Sequence, residues 1–158
     1  MTSNCLQKIM NPTDLEKVLR DTLAKLNSET GTIHRLHAPT QLLRLVAQAG
    51  LPPQLVDVVT IIPVGKGIAG ECVQKNRPVT ICNLQTDTSG VAQPGAKQSG
   101  VGGAVCVPIR SGDKIIGTLG IGTKREHEYS AAEINALQDV ANSLAGAIGT
   151  PKSDPTSS

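Results

Sequence analysis

The sequence predicts an α+β fold, in which helices near both ends of the chain pack against one β-sheet. Leucine, isoleucine and valine recur at helical spacing after residue 13 and again after residue 130, which predicts a helix near each end. Between them, alternating apolar segments are separated by short polar turns, which is typical of antiparallel hairpins. At 158 residues, the chain has the length of one domain with a substantial core.

The segment Pro12–Glu16 opens the first predicted helix. Thr13 can cap this helix, and Glu16, three positions later, completes a capping box. The apolar stripe that follows has helical spacing and consists of Leu15, Val18, Leu19, Leu23 and Leu26.

The middle of the chain predicts three strands and two short helices. Strands are expected over Thr32–Leu36 and Leu42–Ala47, paired as an antiparallel hairpin. A short helix runs from Pro52 to Val59, another follows Gly67, and Val79–Cys82 is the third strand.

The last third predicts a second hairpin and a final helix. Its strands are Ala104–Ile109 and Lys114–Thr123, with a turn at Ser111–Asp113. Ser130 then caps the last helix and Glu133 completes its capping box. The apolar stripe of that helix consists of Ile134, Leu137, Val140, Ala141, Leu144 and Ile148.

A glycine motif in the centre of the chain has two interpretations. Gly65, Gly67 and Gly70 match a dinucleotide-binding fingerprint, and Asp87 follows Gly67 at the required interval of about 20 residues. However, Pro78 leaves room only for a short helix, and Asp87 stands in a Thr-Asp-Thr-Ser-Gly run that is typical of a loop. We therefore predict a structural turn in place of a nucleotide site.

Composition excludes several classes of function. The net charge is +2, so no strong field attracts nucleic acid or an anionic membrane. The sequence has no Phe or Trp and a single Tyr, and base-stacking platforms are therefore nearly absent. Because the N-terminus lacks a signal pattern and no apolar run approaches about 20 residues, we expect a cytoplasmic protein without membrane contact.

The cysteines and histidines do not form a recognisable site in the sequence. The four cysteines are widely spaced and lack a Cys-x-x-Cys pair. Cys82 and Cys106 stand among apolar neighbours on predicted strands, where a free cysteine acts as a small hydrophobe. His34 and His37 point to opposite faces of a strand and are expected to be partly exposed. We expect neither a metal nor a cofactor.

Taken in order, several segments resemble the signature of the GAF domain, a small sensory module. The resemblance covers roughly residues 13 to 148, so we place the domain at 13–149, an N-terminal extension at 1–12 and a disordered tail at 150–158. The segments are Gly31–Leu36, Gly50–Pro52, Pro63–Gly70, Arg77–Val79, Val107–Ile109, Ile116–Ile121 and Ser130–Glu133.

The resemblance implies an antiparallel sheet of five or six strands. Terminal helices pack on one face and a small-molecule pocket lies on the other. The long connection between the third and fourth strands, Gln85–Gly103, partly roofs this pocket. Its length and its Gly and Ser content also predict a mobile lid.

Three liganded or catalytic GAF classes can be compared with these residues. Tetrapyrrole-binding members need a Cys with aromatic and His neighbours, and cyclic-nucleotide-binding members need an Asn-Lys-x-x-Phe motif; this sequence has neither. Free methionine-R-sulfoxide reductases carry a Gly-x-Cys-Gly turn, where this chain has Ala69 in the cysteine position. Cys72, Cys82 and Cys106 keep a thiol enzyme of that type as an alternative.

We therefore expect a small-molecule-sensing regulatory domain that acts in signal transduction by ligand binding and dimerisation. A structural dimerisation domain without ligand is the other alternative. The expected partners are an unknown small polar ligand, a second copy bound through the terminal helices, and a separate signalling protein. The candidate ligand-binding residues lie on the lid and on the last strand: Thr86, Asp87, Gln98, Ser99 and Thr118.

Overall fold

A computed structural model describes residues 12–51, 53–81, 102–125 and 127–148. The predicted tail lies outside these ranges, as does the predicted N-terminal extension apart from Pro12. In chain order the elements are α1 (Pro12–Lys25), β1 (Thr30–His37), β2 (Leu42–Ala49), α2 (Pro53–Val59), β3 (Ile61–Pro63), α3 (Gly67–Lys75), β4 (Val79–Ile81), β5 (Ala104–Ser111), β6 (Lys114–Gly122) and α4 (Ala131–Ile148).

The strands form one six-stranded sheet in the order β3-β2-β1-β6-β5-β4. Every strand pair recorded in this sheet is antiparallel. The two predicted hairpins are β1–β2 and β5–β6, and β1 pairs with β6 at the centre of the sheet. The α+β fold and the antiparallel sheet that the sequence predicted are therefore confirmed.

The two long helices cover one face of the sheet. Leu19 of α1 and Leu144 of α4 are almost fully buried in the same cluster as Ile33, Val107 and Leu119 from three neighbouring strands. The predicted apolar stripes of these helices thus face the sheet, and this cluster is the main core. Burial of apolar surface of this kind is the principal stabilising contribution to the fold.

Both ends of helix α4 are held by side chains. The Ser130 amide donates to Glu133 Oε1 at 2.8 Å and the Glu133 amide donates to Ser130 Oγ at 3.2 Å, so the predicted capping box is confirmed. At the other end, Arg35 of β1 donates from Nη2 to the carbonyl of Ile148 at 2.7 Å. A cation at a helix C-terminus also interacts favourably with the helix dipole.

The opposite face of the sheet carries the shorter helix α3. Ala69 and Cys72 of this helix are buried against Leu36, Leu43 and Cys106 of three strands. This second cluster is smaller than the first, so the two faces differ in how much apolar surface they bury. It occupies only part of this face, and the polar residues described below lie beyond it.

Some element bounds differ from those that the sequence predicted. Helix α1 begins at Pro12, one residue before the predicted cap at Thr13. Strand β3 was not predicted, because three residues ending in a proline are too short to give an alternating pattern. Among the helices described here, none combines the length and the apolar composition needed to cross a bilayer.

Candidate functional site

Four residues of strands β1 and β6 form a compact block on the face that carries α3. Thr32 lies opposite Gly120, and His34 lies opposite Thr118, in the antiparallel register of the two strands. Directly opposed residues share one face of a sheet, as do residues two positions apart on a strand. The central strands therefore bring two threonines, a histidine and a glycine together as a floor.

His34 is the most constrained residue of this floor. Its side chain is 1% exposed, and its Nε2 lies 2.8 Å from the carbonyl oxygen of Val59, at the end of helix α2. A carbonyl can only accept a hydrogen bond, so Nε2 carries the proton and donates it. Burial lowers the pKa of His34 to about 4, against a smaller opposite effect of the bond to Val59, and the ring is therefore neutral at neutral pH.

The other ring nitrogen of His34 has no hydrogen-bond partner. Nδ1 is buried, as is Oγ1 of Thr118 on the neighbouring strand, and neither atom has a partner in the structure. Buried polar atoms in native proteins are nearly always hydrogen-bonded. Two such exceptions lie on directly opposed residues of this floor, and a third, Nε of Arg35, lies on the face that carries the terminal helices.

Gly120 can accept a small side chain next to Thr32. A methyl group built on its α-carbon would lie 3.5 Å from Oγ1 of Thr32 and 3.6 Å from the sulfur of Cys106, which are ordinary contact distances. A methyl group is thus tolerated at this place on the floor. A glycine at such a position in a strand allows close approach of a ligand.

Two thiols lie beside the floor. Cys72 of α3 and Cys106 of β5 are free and buried, and they hydrogen-bond to each other. The pKa of the Cys72 thiol is raised, first by this bond to Cys106 and then by burial. The Cys72 side chain is therefore a protonated, apolar packing group at neutral pH, and Cys106 is buried beside it.

The glycine motif of the sequence has a structural role. Gly65 and Gly67 have φ angles of 91° and 65°, which favour glycine. A side chain at Gly70 would lie 2.5 Å from the carbonyl oxygen of Pro63, so the turn packs directly on the first turn of α3. Because the described sheet lacks the parallel strands of a dinucleotide fold, the motif is explained by the turn into this helix.

The predicted site residues are only partly described. Thr118 is fully buried in the floor, and its role in binding stays a prediction. Thr86, Asp87, Gln98 and Ser99 lie outside the described residues, as does nearly all of the predicted lid.

His34 was missed as a candidate, and the expectation that it is partly exposed is wrong, since helix α2 covers it. The signal that could have found it is its place on the strand. It stands between Thr32 and Leu36 at two-residue spacing, and a strand covered on both faces buries such a residue.

No cluster of three or more potential metal ligands occurs among the described residues. His37 lies near the turn after β1, where its Nδ1 is 2.7 Å from Oγ1 of Thr40. His34 and His37 thus have different neighbours, Val59 and Thr40, as expected for residues on opposite faces of a strand. The chemistry that the floor offers is therefore hydrogen bonding by neutral groups.

Comparison with protein families identifies the architecture. Residues 10–149 match the family described as GAF domain. The chain belongs to the GAF domain family. The match spans nearly the whole chain, and it confirms the resemblance that the sequence motifs indicated. A search of curated proteins finds no relative that matches this chain.

Solved structures share this fold at low sequence identity. The GAF domain of a phosphoenolpyruvate-protein phosphotransferase from Acinetobacter superposes with a TM-score of 0.74 and 20% identity, covering 89% of this chain and 82% of that one. The GAF region of a Geobacter sulfurreducens membrane protein gives 0.73 and 18%, covering 87% and 91%. A type II free methionine-R-sulfoxide reductase from Thermoplasma acidophilum gives 0.71 and 18%, covering 87% and 91%. At such identities the likeness shows the fold alone.

Proposed function

We propose that this GAF domain is a regulatory sensor that binds a small polar molecule on the sheet face opposite the terminal helices. The observation that carries the proposal is the opposed pair His34 and Thr118, each fully buried and each with a polar atom that lacks a partner. The proposal extends to a cytoplasmic role in signal transduction, in which the output passes to a separate protein.

The energetics favour a bound ligand. A buried polar atom without a hydrogen bond costs about 1–3 kcal/mol, and two such atoms lie together on this floor. A ligand that bonds to both atoms removes this cost, which adds to its affinity. The same residues in a purely structural domain would only lower its stability, so their adjacency supports binding.

The experiment that tests the proposal is native mass spectrometry of the protein purified under gentle conditions. We expect a co-purified small molecule bound to the folded domain. The double variant His34→Phe, Thr118→Val keeps similar volumes on the floor and removes both polar groups, so it should lose the bound mass. The control Thr22→Val removes a hydroxyl from helix α1, where Thr22 donates to the Val18 carbonyl, and should retain it.

Two residues of the predicted lid give a second test of the same proposal. Replacing Asp87 and Gln98 together with alanine should lower the affinity for the co-purified molecule by about 10-fold or more, if each loses a hydrogen bond worth about 1 kcal/mol. The melting temperature should scarcely change. Unchanged binding with a lower melting temperature would instead show that these two residues only stabilise their own loop.

We further propose that the sensor acts as a homodimer through its terminal helices. Helices α1 and α4 lie on the same face of the sheet, so their outer surfaces can pair with those of a second copy in a helical bundle. Ligand binding on the opposite face would then reach the interface through the shared sheet.

A thiol enzyme of the free methionine-R-sulfoxide reductase type is the second candidate. It is favoured by the hydrogen-bonded thiols of Cys72 and Cys106 beside the floor and by reductases among the solved structures of this fold. The raised pKa of Cys72 opposes it, because the thiolate is the reactive form. Turnover of free methionine-R-sulfoxide that disappears in Cys106→Ala or in Cys82→Ala would establish the enzyme and displace the sensor.

A further inference from the structure

We infer that the ligand group seated between His34 and Thr118 is an uncharged hydrogen-bond donor with an adjacent acceptor, of which a primary amide is the simplest example. The inference rests on the proposed function and specifies the chemistry of its ligand. It follows from which atoms of His34 and Thr118 can donate a hydrogen bond and which can accept one.

The first step concerns the direction of the hydrogen bond at His34. The Val59 carbonyl accepts from Nε2, so in the neutral ring Nδ1 carries a lone pair and no proton. This nitrogen is buried and has no partner in the structure. The group that completes it must therefore bring an N–H or O–H of its own.

The second step concerns Thr118. Its hydroxyl can donate one hydrogen bond and accept others, and it lies directly across from His34 on the next strand. A ligand group that donates to Nδ1 can at the same time accept from this hydroxyl. A planar amide has a donor and an acceptor on one carbon and so matches both residues.

The third step excludes charged groups. A carboxylate or phosphate would place its lone pairs against the lone pair of Nδ1, and burying such a charge without a counterion is costly. The nearest cationic neighbour in the sequence is Arg35, whose Nη2 donates to the Ile148 carbonyl of helix α4, on the other side of the sheet. An ammonium group would likewise need an anion. Among the described residues, Val59 accepts from the His34 ring and Leu45 and Thr118 lie across from it, and none of the three has a charged side chain.

Matched pairs of probes can test this inference without knowledge of the natural ligand. Nicotinamide and nicotinate have nearly the same shape, but the first carries an amide and the second a carboxylate. Acetamide and acetate form a second pair with the same difference. Each would be titrated into the full chain, labelled with ¹⁵N at histidine, at neutral pH. The ¹⁵N resonances of the His34 ring report its tautomer and any hydrogen bond to Nδ1.

We expect the free protein to show Nδ1 of His34 as an unprotonated nitrogen. Addition of an amide should shift that resonance, and the amides should bind at least about 10-fold more tightly than the matched carboxylates. Thr118→Val, which preserves shape and removes the hydroxyl, should weaken amide binding by about 5-fold. Thr22→Val on helix α1 is the control and should leave it unchanged.

Three results would overturn the inference. A protonated Nδ1 in the free protein would reverse the donor and acceptor roles. Equal or tighter binding of the carboxylates would show that the floor accepts anions, and in that case the proposed sensor function would survive. Failure of both amides to shift the His34 resonance at millimolar concentration, in protein freed of any co-purified molecule, would show that the two polar atoms are satisfied without a ligand, for example by a bridging water.

Discussion

The thiols of Cys72 and Cys106 hydrogen-bond to each other across the contact between helix α3 and strand β5. Both side chains are almost completely buried, at 0% and 1% exposure. The bond and the burial raise the pKa of Cys72, so this side chain is held in the thiol form. This arrangement makes the two cysteines part of the packing of the second face and disfavours a catalytic role for them.

The first prediction is that these cysteines react slowly in the folded protein. Iodoacetamide attacks the thiolate and needs access to the sulfur, so labelling of Cys72 and Cys106 should be at least about 100-fold slower in the native chain than in guanidinium. Peptide mapping by mass spectrometry measures each site separately. Native labelling at a rate near that of the unfolded chain would contradict the burial and make the reductase the leading candidate.

The second prediction concerns the pH dependence of stability. The pKa of His34 is about 4 in the folded protein, against an ordinary value of 6.5, so the unfolded state binds the additional proton between these values. The contribution of His34 to the free energy of unfolding is therefore fully present above about pH 6.5 and is lost on acidification towards pH 4. The loss is about 1.4 kcal/mol per pH unit and about 3 kcal/mol in total. Urea unfolding at several pH values measures this slope.

His34→Gln should flatten this part of the profile, whatever its effect on stability at neutral pH. Glutamine does not titrate, and its amide can still donate to the Val59 carbonyl. His37→Gln is the matched control, because His37 is half-buried near a turn and bonds to Thr40; it should retain the wild-type slope. An unchanged slope in His34→Gln would show that other groups cause the acid sensitivity.

The sequence predicted most of the fold because its elements depend on local patterns. The capping box of Ser130 and Glu133 and the apolar stripe after it are contained within one helix. The short strand Ile61–Pro63 was missed because it exists only by pairing with β2. Pairing between distant segments leaves little trace in the periodicity of so short a strand.

The candidate site was harder to predict for the same physical reason. Thr118 was selected because it stands between glycines on a strand, and the structure buries it on the floor. The burial of His34 depends on Val59, 25 residues away in sequence, and on which strand lies opposite it. The two-residue spacing of Thr32, His34 and Leu36 places the histidine on one face of a strand, but neither of these relations follows from it, so the spacing alone does not establish that the residue is buried.

The third prediction concerns Gly50, which directly follows strand β2. Gly50 has a φ of 77°, and a side chain there would overlap the backbone carbonyl of Glu29. Gly50→Ala should therefore destabilise the domain by at least about 2 kcal/mol. Gly112→Ala is the matched control, since Gly112 has a similar φ of 63° with nothing within 4 Å, and it should cost about 1 kcal/mol. Equal losses in thermal unfolding would show that the contact with Glu29 is relieved without cost.

The fourth prediction tests the proposed dimer. We expect a dimeric mass by light scattering at micromolar concentration. Gly146 is exposed on α4, and a side chain there would meet nothing within 4 Å in one copy of the chain. Gly146→Arg should therefore keep the fold and weaken a dimer formed by the outer surface of α4. Ala38→Arg in the exposed β1–β2 turn is the control and should stay dimeric. A monomeric wild-type mass would contradict the proposal.

The last prediction separates ligand binding from folding at Gly120. A methyl group there would make only ordinary contacts with Thr32 and Cys106, and alanine in a strand interior is no less favourable than glycine. Gly120→Ala should therefore leave the melting temperature unchanged or slightly higher. The same methyl group adds bulk to the floor next to Thr32, two positions from Thr118 on β6, so it should lower the affinity for the co-purified molecule, or for nicotinamide, by about 10-fold or more. Calorimetric titration and thermal unfolding measure the two effects separately. A variant that binds as tightly as the wild type would show that the ligand does not lie over Gly120, whereas a large loss of stability would show that the space is already filled by the protein itself.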